Sequence, residues 1–191
     1  QSVTIRDDWY SSGLRGSGRC TVEAQEIFVP TEHVIPFLAH RPLIEADPYR
    51  LPNLSIFPFS VTLVALGITK ATLDDFTAMA DRTRGGTSTK LAERELIQTE
   101  LGRAITLHRA ARALVEDTLA ALEAAFASNG QDRTMPRALF RASLAQAAEL
   151  CETAMSILCR AAGTAAILEA GSFERRQRDL TTATRHVAMG Q

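Results

Sequence analysis

The sequence has almost no net charge, because its 21 basic side chains are balanced by 22 acidic ones. No cluster of Lys or Arg is dense enough to follow a phosphate backbone, so we predict neither a nucleic-acid partner nor an anionic membrane partner. Long apolar runs are also lacking, since the longest, around Val61 to Ile68, is too short to span a bilayer. The first 20 residues lack the order of a signal peptide, which predicts a cytoplasmic protein.

Cysteine is scarce and shows no pairing pattern. Cys20, Cys151 and Cys159 are odd in number and have neither CxxC nor Cys/His spacing, so we predict no disulfide framework and no metal site. Buried thiols acting as small apolar side chains are the expected alternative. The remaining composition, 46% hydrophobic and 23% charged over 191 residues, is typical of one globular body or of a small domain with an extra piece attached.

The first 30 residues indicate a turn followed by a strand. Three glycines between positions 13 and 18 favour a turn and exclude a helix there. Residues 22–29 are strand-like, and their alternation slips near Gln25-Glu26, which indicates a bulge or a change of strand before Pro30 ends the stretch. Because isolated strand pairs are marginal in water, we expect this β remnant to be the end of a larger β-domain.

The rest of the chain indicates a connector and a helical body. Four prolines within residues 31–54 predict an irregular connector. Beyond it, apolar residues recur at steps of three and four, which predicts helices joined by short loops. The first predicted helix begins at Ile56, and the second runs from Leu91 to Phe126. The third runs from about Pro136 to Gly171, and the fourth from about Phe173 to Met189 with Ser172 as the N-cap. The predicted fold class is mainly α, an antiparallel four-helix bundle over residues 55–191 that follows the β remnant at 1–30.

The fourth predicted helix carries the residues of greatest chemical interest. Asp179, Thr182 and His186 are spaced by three and four, so they share one stripe beside an apolar one. An imidazole at such an edge is suited to take a proton from a bound phenol or similar weak acid. The alternative, which spacing alone favours, is a surface or capping histidine. Arg178 with Asp179 is compatible with anion binding or with ordinary ion pairs.

Two further features have both a structural and a functional interpretation. Residues 161–166 are small side chains inside a predicted helix, including Gly163 and Thr164. They permit close approach of a flat ligand, or simply tight packing of another helix. His108 falls on the apolar stripe of the second helix, where a satisfied core or interface histidine is expected, and His33 and His40 receive no role.

These pieces, in this order, resemble the C-terminal part of the acyl-CoA dehydrogenase superfamily. Trp9, the tract from Gly13 to Gly18 and Ile27-Phe28-Val29-Pro30 are similar to the end of its middle β-domain, and the helical remainder is similar to its C-terminal four-helix domain (type 2). The last helix resembles the oxygenase branch of two-component flavin-dependent monooxygenases, typically L-x-R-x-x-R-D-x-x-x-A-x-x-H-V. The matching residues are Arg175, Arg178-Asp179, Ala183 and His186-Val187. Acyl-CoA dehydrogenases instead end in Y-E-G-T, and Val187 stands where their catalytic glutamate is expected.

The resemblance implies a flavin-dependent monooxygenase. A flavin reductase partner would supply reduced flavin, either FMNH2 or FADH2, which reacts with O2 to a C4a-(hydro)peroxyflavin and hydroxylates a small aromatic or related substrate. It implies His186 as the catalytic base or peroxide hydrogen-bond donor, with Arg178 and Asp179 supporting it. Gly163 and Thr164 would touch the flavin of a neighbouring subunit, in a homotetramer formed through the helical domain.

Two other interpretations stay open at this point. One is an acyl-CoA dehydrogenase-like oxidoreductase whose base is displaced. The other is a non-catalytic helical fragment that only forms oligomers. The resemblance places part of the substrate pocket in domains that this sequence does not contain, so the sequence does not identify the substrate.

Overall fold

The computed structural model describes residues 2–35, 43–44, 46, 49, 51, 55–83, 88–127 and 132–186. The chain begins with a two-stranded antiparallel ribbon, in which β1 (Ser2–Arg6) pairs with β2 (Thr21–Gln25) and Ile5 lies opposite Val22. Both of these apolar side chains are exposed, at 69% and 61%. The ribbon therefore buries little of its own apolar surface.

The glycine-rich tract between the strands is a turn, as predicted, although Arg15–Ser17 form a single 3-10 turn within it. Leu14 and Gly18, which flank that turn, both have left-handed backbone angles. Glu26 also has a positive φ of 51° and ends β2, which confirms the predicted slip in the alternation. The expectation that the strand continues through residues 27–29 is wrong, because the backbone reverses hand at Glu26 and the following residues form no ladder.

Four helices follow, which confirms the mainly α bundle with a short β remnant. They are α1 (Ile56–Ala80), α2 (Glu95–Ala127), α3 (Thr134–Ala162) and α4 (Ser172–Thr184). The second helix begins later than predicted, because residues 91–93 form a separate 3-10 turn. At 33 residues α2 is about 50 Å long. The four prolines of the predicted connector lie outside the described residues.

The prediction that the third helix reaches Gly171 is wrong. Gly163 has φ 62° and ψ −129°, a conformation that glycine adopts and other residues avoid, so α3 stops at Ala162. A 3-10 helix, Gly163–Ala166, replaces the expected continuation. Leu168, which the periodicity assigned to the apolar stripe, is 60% exposed for this reason. The tract of small residues is thus a helix end.

The fourth helix also differs from its prediction at both ends. Gly171 occupies the N-cap position and Ser172 is the first helical residue, because the serine hydroxyl is engaged by another helix. Thr184 is the last helical residue, two positions before His186. The amide of His186 donates to the Ala183 carbonyl oxygen at 3.1 Å, so the end of the helix tightens into a 3-10 type turn. Residues 187–191 lie outside the described residues.

The core lies between α1 and α3, each of which contacts the other three helices. Its fully buried large side chains include Phe76, Leu144 and Leu158. Polar groups inside the core are satisfied locally: Thr62 and Thr69 donate to carbonyl oxygens four residues earlier at 2.9 Å, and Thr62 also reaches the Leu144 carbonyl oxygen at 3.3 Å. The buried hydroxyl groups of Thr62 and Thr69 therefore both have hydrogen-bond partners.

The cysteine thiols are free. Cys151 and Cys159 are buried, which confirms their interpretation as small apolar side chains, and burial raises the pKa of Cys151 to about 11. Such a thiol is almost entirely protonated at neutral pH and is a poor nucleophile. None of the helices in the described ranges is both long enough and apolar enough to cross a membrane.

Candidate active site

The first turns of α4 are attached to α1 through Asp75. Its carboxylate oxygen Oδ2 accepts hydrogen bonds from Ser172 Oγ at 2.7 Å and from Arg176 Nη1 at 2.5 Å. The same Arg176 nitrogen donates to the Ala71 carbonyl oxygen at 3.2 Å. The Ser172 hydroxyl and then the Arg176 guanidinium hold the pKa of Asp75 below its usual range. This network fixes where α4 starts relative to the core.

The middle of α4 is attached to the turn that follows β1. Arg178 Nη1 donates to the Ser12 carbonyl oxygen at 2.5 Å, and Asp179 Oδ1 accepts the Leu14 amide hydrogen at 2.6 Å. Arg178 is itself held by Glu174 in a two-pronged ion pair, with N···O distances of 2.6 and 2.9 Å. Bidentate pairs of this kind fix the plane of a guanidinium. Arg178 and Asp179 therefore act on the backbone of residues 12–14, which we call the docking turn.

Gly13, the central residue of the docking turn, is buried against the helix backbone. A Cβ at this position would overlap the Arg178 carbonyl oxygen and would lie 2.6 Å from Thr182 Oγ1. Its φ lies outside the left-handed region, so the requirement for glycine is one of space. The docking turn thus covers Asp179 and Thr182, the first two members of the polar stripe.

Internal hydrogen bonds hold the docking turn in shape. Trp9 Nε1 donates to the Leu14 carbonyl oxygen at 3.2 Å, and Ser11 Oγ donates to the Gly13 carbonyl oxygen at 2.6 Å. The Arg19 guanidinium lies 5.9 Å from the centroid of the Trp9 ring, within range of a cation–π contact. A half-buried aromatic ring is therefore fixed to the same turn that contacts α4.

His186 follows the docked part of α4 and is half-buried. The residue immediately before it, Arg185, lies with its Nη1 3.6 Å from Glu152 Oε1 on α3. The last helical residue, Thr184, donates its hydroxyl to the same carboxylate oxygen in a short hydrogen bond. The segment that presents the imidazole is consequently held by α3 on one side, while the docking turn holds the helix one to two turns earlier.

The structure does not bring Gly163 and Thr164 into this cluster. Both are exposed, and nothing lies within 4 Å of a Cβ added to Gly163. Glu152, which touches the end of α4, precedes Ala162 by ten residues, so the glycine lies about 15 Å further along the axis of α3. Within one chain, these residues and His186 are at different levels of the bundle.

Comparison with known proteins assigns this architecture to a family. Residues 59–191 match the family model described as acyl-CoA dehydrogenase, C-terminal domain. The chain belongs to this acyl-CoA dehydrogenase C-terminal domain family. The match begins in the first turn of α1 and includes α2, α3 and α4, which confirms the superfamily resemblance that the sequence indicated.

Relatives of this acyl-CoA dehydrogenase-type chain include hydroxylating enzymes. A pigment production hydroxylase from Rhodococcus sp. is 27% identical over 97% of this chain and 50% of its own length. An indole-3-acetate monooxygenase from Acinetobacter baumannii is 24% identical over 97% of this chain and 48% of its own length. The chain thus spans about half the length of these relatives.

Solved structures share the fold of this acyl-CoA dehydrogenase-type chain across nearly its whole length. XiaF from Streptomyces sp., in complex with FADH2 and glycerol, superposes with a TM-score of 0.85 at 25% identity, over 98% of this chain and 49% of that one. The HsaA monooxygenase from M. tuberculosis superposes with a TM-score of 0.80 at 20% identity, over 98% and 51%. The ribbon and the helices therefore occur together, in this arrangement, in other proteins.

Sequence reasoning missed several residues that hold α4 in position. The roles of Gly13, Asp75 and Glu152 depend on partners about 30 to 165 positions away, which periodicity does not report. His108 is where it was expected: half-buried, with Nε2 3.2 Å from the Leu66 carbonyl oxygen, and its pKa is lowered chiefly by burial.

Proposed function

We propose that this chain is the C-terminal portion of the oxygenase subunit of a flavin-dependent monooxygenase, which uses reduced flavin and O2 to hydroxylate a small aromatic or related substrate. The observation that carries the proposal is a half-buried histidine placed directly after a helix that two other parts of the chain hold in position. The hydroxylase and monooxygenase relatives support the same reaction class.

In this proposal His186 is the catalytic residue. Its imidazole accepts the proton of a phenolic substrate, which raises the electron density of the ring that is to be hydroxylated. The docking turn packs closely on α4 about one turn before His186, because Gly13 leaves no gap against Arg178 and Thr182. Arg178 and Asp179 support the site by holding that turn.

A flavin supplies the oxygen-transfer chemistry when it is bound. We propose that Gly163 and Thr164 contact the flavin of a neighbouring subunit, since an exposed hydroxyl beside an open glycine fits a flat ring. The complex of XiaF with FADH2 supports a reduced flavin, FADH2 or FMNH2. We further propose a homotetramer, a flavin reductase partner and a cytoplasmic location, in keeping with the free thiols.

We also propose a division of the chain at residues 30 and 54. Residues 1–30 would be the end of a β-domain, residues 31–54 a connector, and residues 55–191 the C-terminal helical domain. The exposed apolar side chains of the ribbon support the first assignment, because they suit a larger sheet or a covering element.

The test of the catalytic proposal is the His186→Asn variant of the full-length protein, assayed with reduced flavin, O2 and a panel of phenols and indoles. We expect the wild type to release a hydroxylated product that carries 18O from 18O2. The variant should turn over roughly 10²- to 10⁴-fold more slowly, which is the usual contribution of a general base. His33→Asn, an exposed histidine on the 3-10 turn after the ribbon, is the matched control and should retain full activity.

Two results would contradict the proposal. The first is wild-type turnover in His186→Asn with an unchanged pH profile. The second is bleaching of oxidised flavin on addition of an acyl-CoA, without any hydroxylated product, because that is the behaviour of a dehydrogenase. A defined oligomer that binds no flavin would instead favour the non-catalytic helical module.

A further inference from the structure

Glu152 on α3 contacts the two residues that precede His186. Its carboxylate oxygen Oε1 accepts a short hydrogen bond from the Thr184 hydroxyl, and Arg185 Nη1 lies 3.6 Å from the same oxygen. Thr184 is 9% exposed, and its hydroxyl oxygen also lies 3.1 Å from the Leu180 carbonyl oxygen. The carboxylate therefore attaches the end of α4 to α3.

The negative charge of this carboxylate is not explained by the stability of α4. The C-terminal end of a helix carries partial negative charge, so an anion beside it is unfavourable. The compensating Arg185 side chain is 61% exposed, where an ion pair contributes little. A residue that works against the helix dipole at a helix end is expected to serve another purpose, and such exceptions concentrate at functional sites.

Geometry indicates what that purpose is. After Thr184 the backbone leaves the α-helical pattern, and the His186 amide is held by the Ala183 carbonyl oxygen. The last turn of a helix frays easily, because its final carbonyl groups have no partner within the helix. The Thr184–Glu152 hydrogen bond ties this end to α3, whose neighbouring residues Cys151 and Ala154 are fully buried. Because α3 belongs to the core, this bond restrains the backbone at Thr184, two positions before His186.

We propose that Glu152 is a positioning residue that fixes the orientation of the His186 imidazole through Thr184. Its catalytic meaning rests on the proposed function, whereas its effect on the imidazole does not. The carboxylate acts chiefly as a hydrogen-bond acceptor, so an amide oxygen in the same place serves the same purpose.

The test follows the ring Cε1–Hε1 signal of His186 in the full chain by two-dimensional 1H–13C NMR, with the signal identified by its loss in His186→Asn. We expect Glu152→Ala and Thr184→Val to split or broaden the signal, or to shift it by more than its line width. Glu152→Gln and Thr184→Ser, which keep an acceptor and a donor respectively, should leave it within one line width of the wild type. Glu149→Ala, an exposed glutamate one turn earlier on α3, is the matched control and should have no effect.

A wild-type His186 signal in both Glu152→Ala and Thr184→Val would overturn the proposal. So would a Glu152→Gln signal as disturbed as that of Glu152→Ala, because the acceptor would then be irrelevant. If Glu152→Ala does not fold, as judged by circular dichroism, the comparison of Thr184→Val with Thr184→Ser decides alone.

Turnover gives a second measurement. We expect Glu152→Ala to lower kcat of hydroxylation about tenfold while KM changes less than twofold, and Glu152→Gln to restore kcat. An unchanged kcat in Glu152→Ala would contradict the positioning role. Absence of hydroxylation by the wild type would contradict the proposed function, and the NMR comparison would still decide on Glu152.

Discussion

At the scale of single residues, Gly13 has the most crowded surroundings of the described glycines. Its neighbours leave no room for a methyl group, because the Arg178 carbonyl oxygen and the Thr182 hydroxyl occupy that space. Neither neighbour moves easily, because the carbonyl group belongs to the backbone of α4 and the β-branched side chain of Thr182 is stiff at χ1. Residues 12–14 therefore dock on α4 only when position 13 lacks a side chain.

We expect Gly13→Ala to lower the free energy of unfolding by about 1–3 kcal/mol, the usual cost of overpacking a tight contact. The Leu14 amide should also exchange with solvent faster, because its bond to Asp179 depends on the same close approach. Urea unfolding and amide hydrogen exchange measure the two effects. Gly16→Ala is the matched control, because a Cβ there would meet nothing within 4 Å. Equal stability of the two variants would contradict this account.

Residue-level prediction from the sequence was limited to local information. The spacing placed Asp179 and Thr182 on one face of α4, but the predicted stripe does not extend to His186, because α4 ends at Thr184. What the spacing did not indicate was that Asp179 binds the Leu14 amide, since the partner lies 165 positions away. The sequence signal for that contact was Gly13 itself, which was interpreted as a turn residue, whereas its φ is ordinary and its surroundings are crowded.

At the scale of elements, α4 is a short helix that depends on its attachments. It has 13 residues and is joined to α1 by Asp75, to the docking turn by Arg178 and Asp179, and to α3 by Thr184. An isolated helix of this length is marginal in water, so these tertiary contacts stabilise it. Loss of one attachment should loosen the helix more than it loosens α2 or α3.

The Asp75 attachment should make stability depend on pH. Its pKa is lower in the folded chain than in the unfolded one, so its contribution is present above the unfolded pKa of about 4 and is lost as pH falls through the folded pKa. We expect Asp75→Asn to destabilise the protein at pH 7 by no more than about 1 kcal/mol, because the side chain is 42% exposed. The difference from wild type should shrink toward pH 3.

Urea unfolding at both pH values measures this effect. Asp74→Asn serves as the control, because Asp74 forms an exposed pair with Lys70 on the same helix and no contact with α4 is shown for it among the described residues. A destabilisation by Asp75→Asn that stays the same at pH 3 and pH 7 would show that the carboxylate charge is not its cause.

The element boundaries show why periodicity overshoots. The apolar stripe of α3 continues through Leu168 in the sequence, but the backbone of Gly163 takes a conformation that ends the helix first. A single glycine is compatible with a helix interior, so its effect was not decided by composition. The early end of α4 likewise has no sequence signal at Thr184, because the residue acts through a hydrogen bond to another helix.

At the scale of the whole molecule, stability is concentrated in the helical part. Phe76 on α1 is fully buried, whereas Phe28 beyond the ribbon is 80% exposed. We expect Phe76→Ala to lower the free energy of unfolding by about 3–5 kcal/mol, the usual cost of removing a core phenyl ring. Phe28→Ala should change it by less than about 0.5 kcal/mol. Chemical denaturation of the two variants provides the comparison, and similar losses in both would contradict this distribution of stability.

The hydrogen bond between Leu14 and Asp179 has a consequence for the order in which the protein assembles. It closes a loop of 165 residues, and the entropy of closing so long a loop must be offset before the contact is gained. Helix pairs such as α2 and α3, which are neighbours along the chain, meet at far lower cost. Chains should therefore pass through a stage with a formed bundle and an undocked N-terminus. A polypeptide arrested at that stage would have α1, α2 and α3 in place, while α4 would lack the support of residues 12–14.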